Sequence, residues 1–280
     1  MIAENKQPTG GQVHLPVLDH VSHSSISCFQ QCPLKWKFRY VDKLEEGFKG
    51  VALVFGSSVH AAVERHFQSI LETGGPPTLE QLLEAFDECW QSFDAASIRY
   101  GKNDDAESMR ELAARMLETF QASEFAKPTG TIVAVEESMR GEFVQGMPDV
   151  LARVDLAIQD GDKLVLTDFK TSRSRWNANQ AQSNAEQLLL YADLAGRVLD
   201  GKRIKLQFAV VTKTKTPVLE VHEVCYEAGR LKRSKAIFGK VWEAIKSGVY
   251  YPAPSQMNCY GCGYKSACDA WTGHPRKGGE

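Results

Sequence analysis

Asp168-Phe169-Lys170 closes the apolar run Leu164-Val165-Leu166-Thr167, which reads as a buried strand. Strand alternation puts Asp168 and Lys170 on one face. A second acid, Asp155, ends the run Leu151-Ala152-Arg153-Val154. Two strands that carry their acids to one edge can hold a hard divalent cation through oxygen. The ammonium of Lys170 can then orient a water or offset charge on a phosphoryl oxygen. Such a set suits metal-dependent hydrolysis of a phosphate ester. Asp-x-Lys alone also arises in solvated hairpins, so the pair takes its meaning from its companions.

His60 and Glu64 stand four apart on a helix that reads as opening at Gly56-Ser57-Ser58. They project together from the edge of an apolar face made by Val59, Ala62, Val63, Phe67, Ile70 and Leu71. Gln187 and Tyr191 form another such pair, on a helix over about 184–199. Their polar tips can order the site or meet a phosphate; spacing alone favours a capped, half-buried tyrosine. Cys259-x2-Cys262-x5-Cys268 lies among Gly, Tyr, Lys and Ser. Three thiolates on a tight loop suit a soft metal or a cluster, and a closed site needs a fourth ligand. Cys28 and Cys32 are the candidates, and Cys89 and Cys225 read as ordinary cysteines of apolar segments. Tying Cys32 to the trio would close most of the domain into one loop, worth about 5 kcal/mol by a chain-entropy argument.

The chain has 280 residues, enough for one large domain or two small ones. A net charge of −2 gives no global basic field, so contact with nucleic acid must use local patches. The first eleven residues are polar, and no run approaches the length of a membrane span, so neither export nor membrane insertion is expected. Seven cysteines, an odd number, fit a reducing, cytoplasmic setting better than a disulfide framework. After a loose N-terminal arm, a helix over 24–40, capped by Ser24 or Ser25, is interrupted at Pro33. The Gly56 helix stops at Gly74-Gly75. Two helices then carry Leu79 to Trp90 and Met109 to Phe120, around a polar turn at 101–105. Strands are expected over 131–135, 139–144, 151–158 and 163–169, with a hairpin turn at Gly161-Asp162. After the 184–199 helix come strands over 204–212 and 218–224, a helix over 227–246 and a turn-rich cysteine tail from Tyr250. That order reads as one α/β domain with a helical insertion.

Several basic clusters offset the neutral whole. Lys35, Lys37 and Arg39 fall near Cys32, and Lys213 and Lys215 end a strand. Arg173, Arg175 and Trp176 follow the Asp168 strand and offer cations for phosphate and an indole for base stacking. Arg230, Lys232, Arg233 and Lys235 read as a solvated helix face, and Trp36 and Trp242 as core.

In order along the chain, six pieces resemble the PD-(D/E)xK nuclease superfamily in its RecB-type branch. They are Ser27-Cys28-Phe29-Gln30-Gln31-Cys32-Pro33, Gly56-x3-His60-x3-Glu64, Arg153-Val154-Asp155, Asp168-Phe169-Lys170, Gln187-x3-Tyr191 and the trio Cys259, Cys262 and Cys268. Within that branch the chain is similar to the iron–sulfur exonucleases, which include the CRISPR-associated adaptation nucleases and the nuclease domain of AddB. The resemblance spans about 22–271, leaving an arm at 1–21 and a tail at 272–280. It implies a restriction-endonuclease-like core, a mixed central sheet flanked by helices, with a helical insertion at about 76–127 and a C-terminal cysteine cluster. It implies that His60, Asp155, Asp168 and the Phe169 carbonyl hold Mg²⁺ or Mn²⁺, and that Lys170 positions the attacking water. Gln187 and Tyr191 would support the site and the DNA strand, with Glu64 behind the ligands. Cys32, Cys259, Cys262 and Cys268 would hold a [4Fe–4S] cluster. Two departures stand out: Ala152 occupies a frequent glycine position, and Pro148-Asp149 is a literal Pro-Asp, yet Asp155 ends the better strand. The implied activity is a DNA exonuclease acting on single-stranded ends, in recombination, repair, or CRISPR or phage DNA processing, in a prokaryotic or phage setting. Any helicase or recombination partner would be a separate chain. Two other classes compete: a DNA- or partner-binding module with weak cleavage on the same fold, and a dithiol redox protein using Cys259-x2-Cys262. The full His60, Asp155, Asp168 and Lys170 set disfavours the first, and the lack of a thioredoxin-like surround disfavours the second.

Overall fold

Residues 163–172 and 203–212 are buried over most of their length without alternation, because both faces of their strands are covered. In the computed structural model, which describes residues 18–196 and 203–273, they form β5 (Lys163–Ser172) and β6 (Arg203–Thr212). With β3 (Thr131–Gly141), β4 (Val150–Asp160) and β7 (Leu219–Val224) they make a five-stranded sheet in the order β3-β4-β5-β6-β7. β5 and β6 pair in parallel, and every other neighbour is antiparallel, so the fold is α/β with a mixed sheet flanked by helices. Asp160 pairs with Lys163, leaving Gly161-Asp162 as the two-residue turn, with Gly161 at φ 58°.

The sheet separates two apolar layers. On one side, Leu164, Leu166, Leu206, Phe208 and Val210 meet α1 (His23–Gln31), α7 (Glu186–Gly196) and α8 (Ala228–Lys246). On the other, Val165, Phe169, Ala209 and Val211 meet α3 (Val51–Thr73), α4 (Leu79–Gln91) and α5 (Ala106–Ala122). Phe120 of α5 packs edge-on against Phe67 of α3 and against Phe169 of the sheet. A parallel two-residue pair, β1 (Lys49–Gly50) with β2 (Ile98–Arg99), ties the chain before α3 to the chain between α4 and α5. α2 (Pro33–Trp36) follows α1 across the Pro33 break. Leu34, Phe38 and Tyr264 form a small cluster beneath the cysteines.

Several local expectations are corrected. Ser22, not Ser24 or Ser25, caps α1, through a reciprocal box with Ser25. α3 begins at Val51 rather than Gly56, because Val54 and Phe55 extend its buried face a further turn. It stops as expected, at Gly74 with φ 78°. The strands expected at 131–135 and 139–144 are one strand, β3. The helix expected at 184–199 is α7, with 197–199 outside the described residues, and a short helix that was not expected, α6 (Ala178–Ser183), precedes it. The tail carries α9 (Gln256–Tyr260) and α10 (Lys265–Trp271) where turns alone were expected. Residues 1–17, 197–202 and 274–280, including most of the arm and tail, lie outside the described residues. Among those described, no helix is long and apolar enough to cross a membrane.

Candidate active site

β4 and β5 pair only from Asp160/Lys163 to Leu156/Thr167. Beyond that step the two strands part, and the acids lie just past it. The N–H of Phe169 donates to Oδ2 of Asp155 at 2.6 Å, so a side chain takes up a donor the ladder no longer serves. Nδ1 of His60, reaching across from α3, lies 3.6 Å from the same oxygen. Its ring stands edge-on to Phe169, with centroids 5.3 Å apart.

The sequence did not point to Glu136, which completes this group. Val135 faces Leu156 and Glu137 faces Val154, so Glu136 stands opposite Asp155. His60, Glu136 and Asp155 each offer a donor atom within 4.8 Å of the others. Glu136 has φ 52°, a left-handed backbone that side-chain-bearing residues adopt at a cost. Arg153 holds its carboxylate, and the same guanidinium lies 3.8 Å from Glu64. The contact depends on the β3–β4 register, which no local pattern reveals. Two successive acids, Glu136-Glu137, inside an apolar strand were the only available signal.

Asp168 is buried behind this group. Its Oδ2 lies 2.7 Å from Nζ of Lys170, without hydrogen-bond geometry, and accepts no hydrogen bond among the described residues. Its Oδ1 receives a long 3.5 Å bond from the Tyr191 hydroxyl. Nε2 of Gln187 donates to that hydroxyl at 2.5 Å, and Oε1 of Gln187 accepts from Nζ of Lys170 at 3.2 Å. The i, i+4 spacing on α7 thus closes a ring with Asp168 and Lys170 on β5. Tyr191 is core and polar support at once, beyond the half-buried tyrosine that spacing allowed.

Burial sets the protonation states. It pushes the His60 imidazole down to about 4, helped by Lys170 and opposed by Asp168, so the ring is a neutral donor at pH 7. Burial and the neighbouring Asp168 hold the Asp155 carboxyl well above the usual range. Burial also raises Glu136 against the pull of Arg153, with Glu64 and Asp168 adding to the rise. The Tyr191 phenol is driven upward by burial and both aspartates, which keeps it a donor. Acids crowded beside a neutral imidazole, with one buried carboxylate oxygen held only by the Lys170 ammonium, fit a hard divalent cation. A cleft of about 590 Å³ opens over them, walled by α3, by Lys170 and Gln187, and by Cys89 of α4. α4, which carries none of the motifs, therefore lines the site through Cys89.

Cys32, Cys259, Cys262 and Cys268 surround a second cavity of about 230 Å³. Cys28 is instead buried in the core beside Phe29 and Trp36. The Ala253 N–H lies 3.5 Å from Sγ of Cys32. Burial, then the neighbouring Cys32, raises the Cys268 thiol. Thiolates around one tetrahedral zinc lie about 3.8 Å apart, from Zn–S bonds of about 2.3 Å. Among the described residues, no three cysteine sulfurs come within 4.8 Å of one another. Four thiols around one cavity are soft donors of the kind a soft metal or a cluster takes. Cys225 is exposed just past the end of β7, and Cys89 is half-buried on α4, where it lines the cleft.

The basic residues after β5 divide. Arg175 is tied to Glu220 through two bonds of 2.5 and 3.0 Å. Trp176 packs edge-on against Phe208 and donates to Ser172, so its indole serves the core rather than a base stack. Arg173 stays exposed, beside Lys213, whose ammonium lies 5.8 Å from the Phe55 ring. Burial and Arg173 lower the Lys213 pKa. Lys37 and Arg39 pair with Asp42 and Glu46. On α8, Arg230 holds the carbonyls of Gln182 and Ser183, and Lys235 pairs with Asp193.

Comparison with known proteins agrees with this geometry. A crystal structure of a protein from Eubacterium rectale, described as a candidate exonuclease, superposes with TM-score 0.59 at 14% identity, over 94% of this chain and 90% of that one. The crystal structure of SSO0001 aligns at TM-score 0.35 and 16% identity over 81% of this chain and 88% of that one, too weakly to carry an argument. No curated protein matches the chain. The family model of the PD-(D/E)XK nuclease superfamily matches residues 20–269, a span that holds the sheet, the four cysteines of the second cavity and every residue of the cleft, and the chain belongs to that superfamily.

Proposed function

We propose that the chain is a divalent-metal-dependent DNA exonuclease of the RecB-type iron–sulfur branch, acting on single-stranded ends. The observation that carries the reading is the meeting of His60, Glu136 and Asp155 in front of Asp168, whose buried Oδ2 lacks a hydrogen bond. His60, Asp155, Asp168, Glu136 and the Phe169 carbonyl would hold Mg²⁺ or Mn²⁺. A divalent cation there supplies charge neutralisation and a more acidic water. Lys170, fixed by Gln187, presents its ammonium to a phosphoryl oxygen or to the attacking water. Tyr191 holds Asp168 in place, and Arg153 with Glu64 holds Glu136. Arg173 and Lys213 are the phosphate contacts nearest the catalytic strand.

Cys32, Cys259, Cys262 and Cys268 would carry a [4Fe–4S] cluster whose part is to join the two ends of the domain; no redox step is needed for hydrolysis. The Eubacterium rectale neighbour carries a description of the same class, which accords with the reading. The test is degradation of end-labelled single-stranded DNA with Mn²⁺ by anaerobically purified protein, beside Asp168→Ala and Lys170→Ala. Shortening from an end by the parent alone supports the reading. Linear, flapped and duplex DNA all left uncut by protein with its cluster intact overturns it.

A further inference from the structure

Two cations crowd the C-terminal ends of the parallel strands β5 and β6. Lys213 carries the ladder one step past β6, its N–H donating to the Ser172 carbonyl at 2.6 Å, which sets it beside Arg173. Its side chain is half-buried, with the ammonium 5.8 Å from the ring of Phe55 on α3. Burial and the Arg173 charge both lower the Lys213 pKa, and no acid opposes them. Among the described residues neither side chain forms an ion pair, whereas Arg175, two residues on, is tied to Glu220. Desolvation and repulsion both work against the pair, and an anion bound between the two cations relieves both.

The pair borders the catalytic cleft. Phe55 precedes Gly56, and Arg173 stands two residues past Thr171; Gly56 and Thr171 both line the cleft. They also touch, since a Cβ on Gly56 would lie 3.7 Å from the Thr171 hydroxyl oxygen. On the same helix His60 stands beyond Phe55 by about 7.5 Å along the axis, so a short stretch of strand can span the pair and the cation site. Charge then selects the anion. A phosphodiester inside a strand brings a single negative charge. A terminal phosphate monoester brings about 1.5 to 2 at pH 7, which matches two cations that lack an acid.

We infer, resting on the nuclease reading above, that Arg173 and Lys213 form a pocket for the terminal phosphate of a DNA strand, so that phosphorylated ends are engaged in preference to hydroxyl ends. Full-length, anaerobically purified protein in EDTA is titrated with internally labelled oligothymidylates of about twelve nucleotides, within the range of common single-strand site sizes. One strand carries hydroxyls at both ends. The others carry a phosphate, or the methyl ester of that phosphate, at the 5′ or the 3′ end; the ester keeps the oxygens but loses the second charge. The variants are Arg173→Gln and Lys213→Gln, with Lys232→Gln on α8, across the sheet from α3, as a control of equal charge. Circular dichroism and visible absorption report whether each keeps the parent's fold and chromophore.

The expected result is a parent that binds one phosphorylated strand roughly tenfold more tightly than the hydroxyl strand, with the methyl ester recovering less than about threefold. The preferred end is the one the pocket holds. Arg173→Gln and Lys213→Gln each bring the preference below about twofold, and Lys232→Gln keeps it. Equal binding of all strands by the parent overturns the pocket, as does a methyl ester bound as tightly as the free phosphate, or a preference that survives both variants. If the parent shortens DNA with Mn²⁺ but binds every end alike, hydrolysis stands and the pocket falls. If the parent prefers a phosphorylated end, the two variants lose that preference and nothing is cleaved with Mn²⁺, the pocket stands and hydrolysis falls.

Discussion

Replacing Glu136 by glycine and by alanine separates the backbone cost of its position from the role of its carboxylate. At φ 52° a side-chain-bearing residue is strained by about 1–2 kcal/mol. Both replacements remove the pair with Arg153, which is 59% exposed, and both relieve the crowding of acids, so these effects cancel in the comparison. Glycine gives back about 0.4–1 kcal/mol through its freer unfolded chain. Glu136→Gly should therefore exceed Glu136→Ala by about 0.5–1 kcal/mol, or roughly 1–3 °C in Tm for a chain of this size. Thermal unfolding followed by circular dichroism in EDTA measures the difference. An alanine variant as stable as the glycine one, or more so, refutes the strain argument. Both variants should also lose Mn²⁺ affinity and cut turnover by about 100-fold or more. A more stable, less active protein is the expected trade where strain serves a site.

Lys170→Ala should keep Mn²⁺ affinity within a few-fold by calorimetry and lose about 100- to 1,000-fold in single-turnover rate; equal losses in both would make Lys170 a structural group. Asp155 has a folded pKa above its unfolded 3.8, so the stability tied to its proton is full below 3.8 and lost as pH rises through the raised value. In EDTA the Tm should fall over that rise, while the Tm gain from added Mn²⁺ grows as the cation displaces the proton; a gain that is flat with pH contradicts this. Arg173→Ala should reduce the salt slope of single-strand binding by about 0.7, whereas Trp176→Phe leaves it alone, and a slope that follows Trp176 would restore the indole as a strand contact. Cys32→Ser should abolish visible iron–sulfur absorption and lower the Tm, while Cys28→Ala spares the absorption; the reverse pattern would reassign the fourth ligand.

What could be read from the sequence was whatever one element carries by itself. Strand alternation put Asp168 and Lys170 together, and their contact is 2.7 Å. Helix spacing put Gln187 and Tyr191 on one side of α7, where they meet Asp168 and Lys170. What could not be read depends on two elements finding their register. Glu136 reaches His60 and Asp155 only because β3 lies against β4 with that residue opposite Asp155. Arg175 looked free until β7 brought Glu220 beside it. The start of α3 was misplaced for a simpler reason: Gly-Ser-Ser resembles a cap, but burial of Val54 and Phe55 outweighs weak local propensity.

Phe169 sits between His60 on one side and Phe120 on the other. A helical elaboration inserted between motifs is usually pictured as an appendage that a shorter relative could do without. Here removing it would strip the cover from Phe67, Phe169 and Val165 and leave a sheet face open to water. α4 and α5 are thus part of the core, and a shorter version of this chain cannot be reached by excising them; the exposed face would first have to be redesigned as surface.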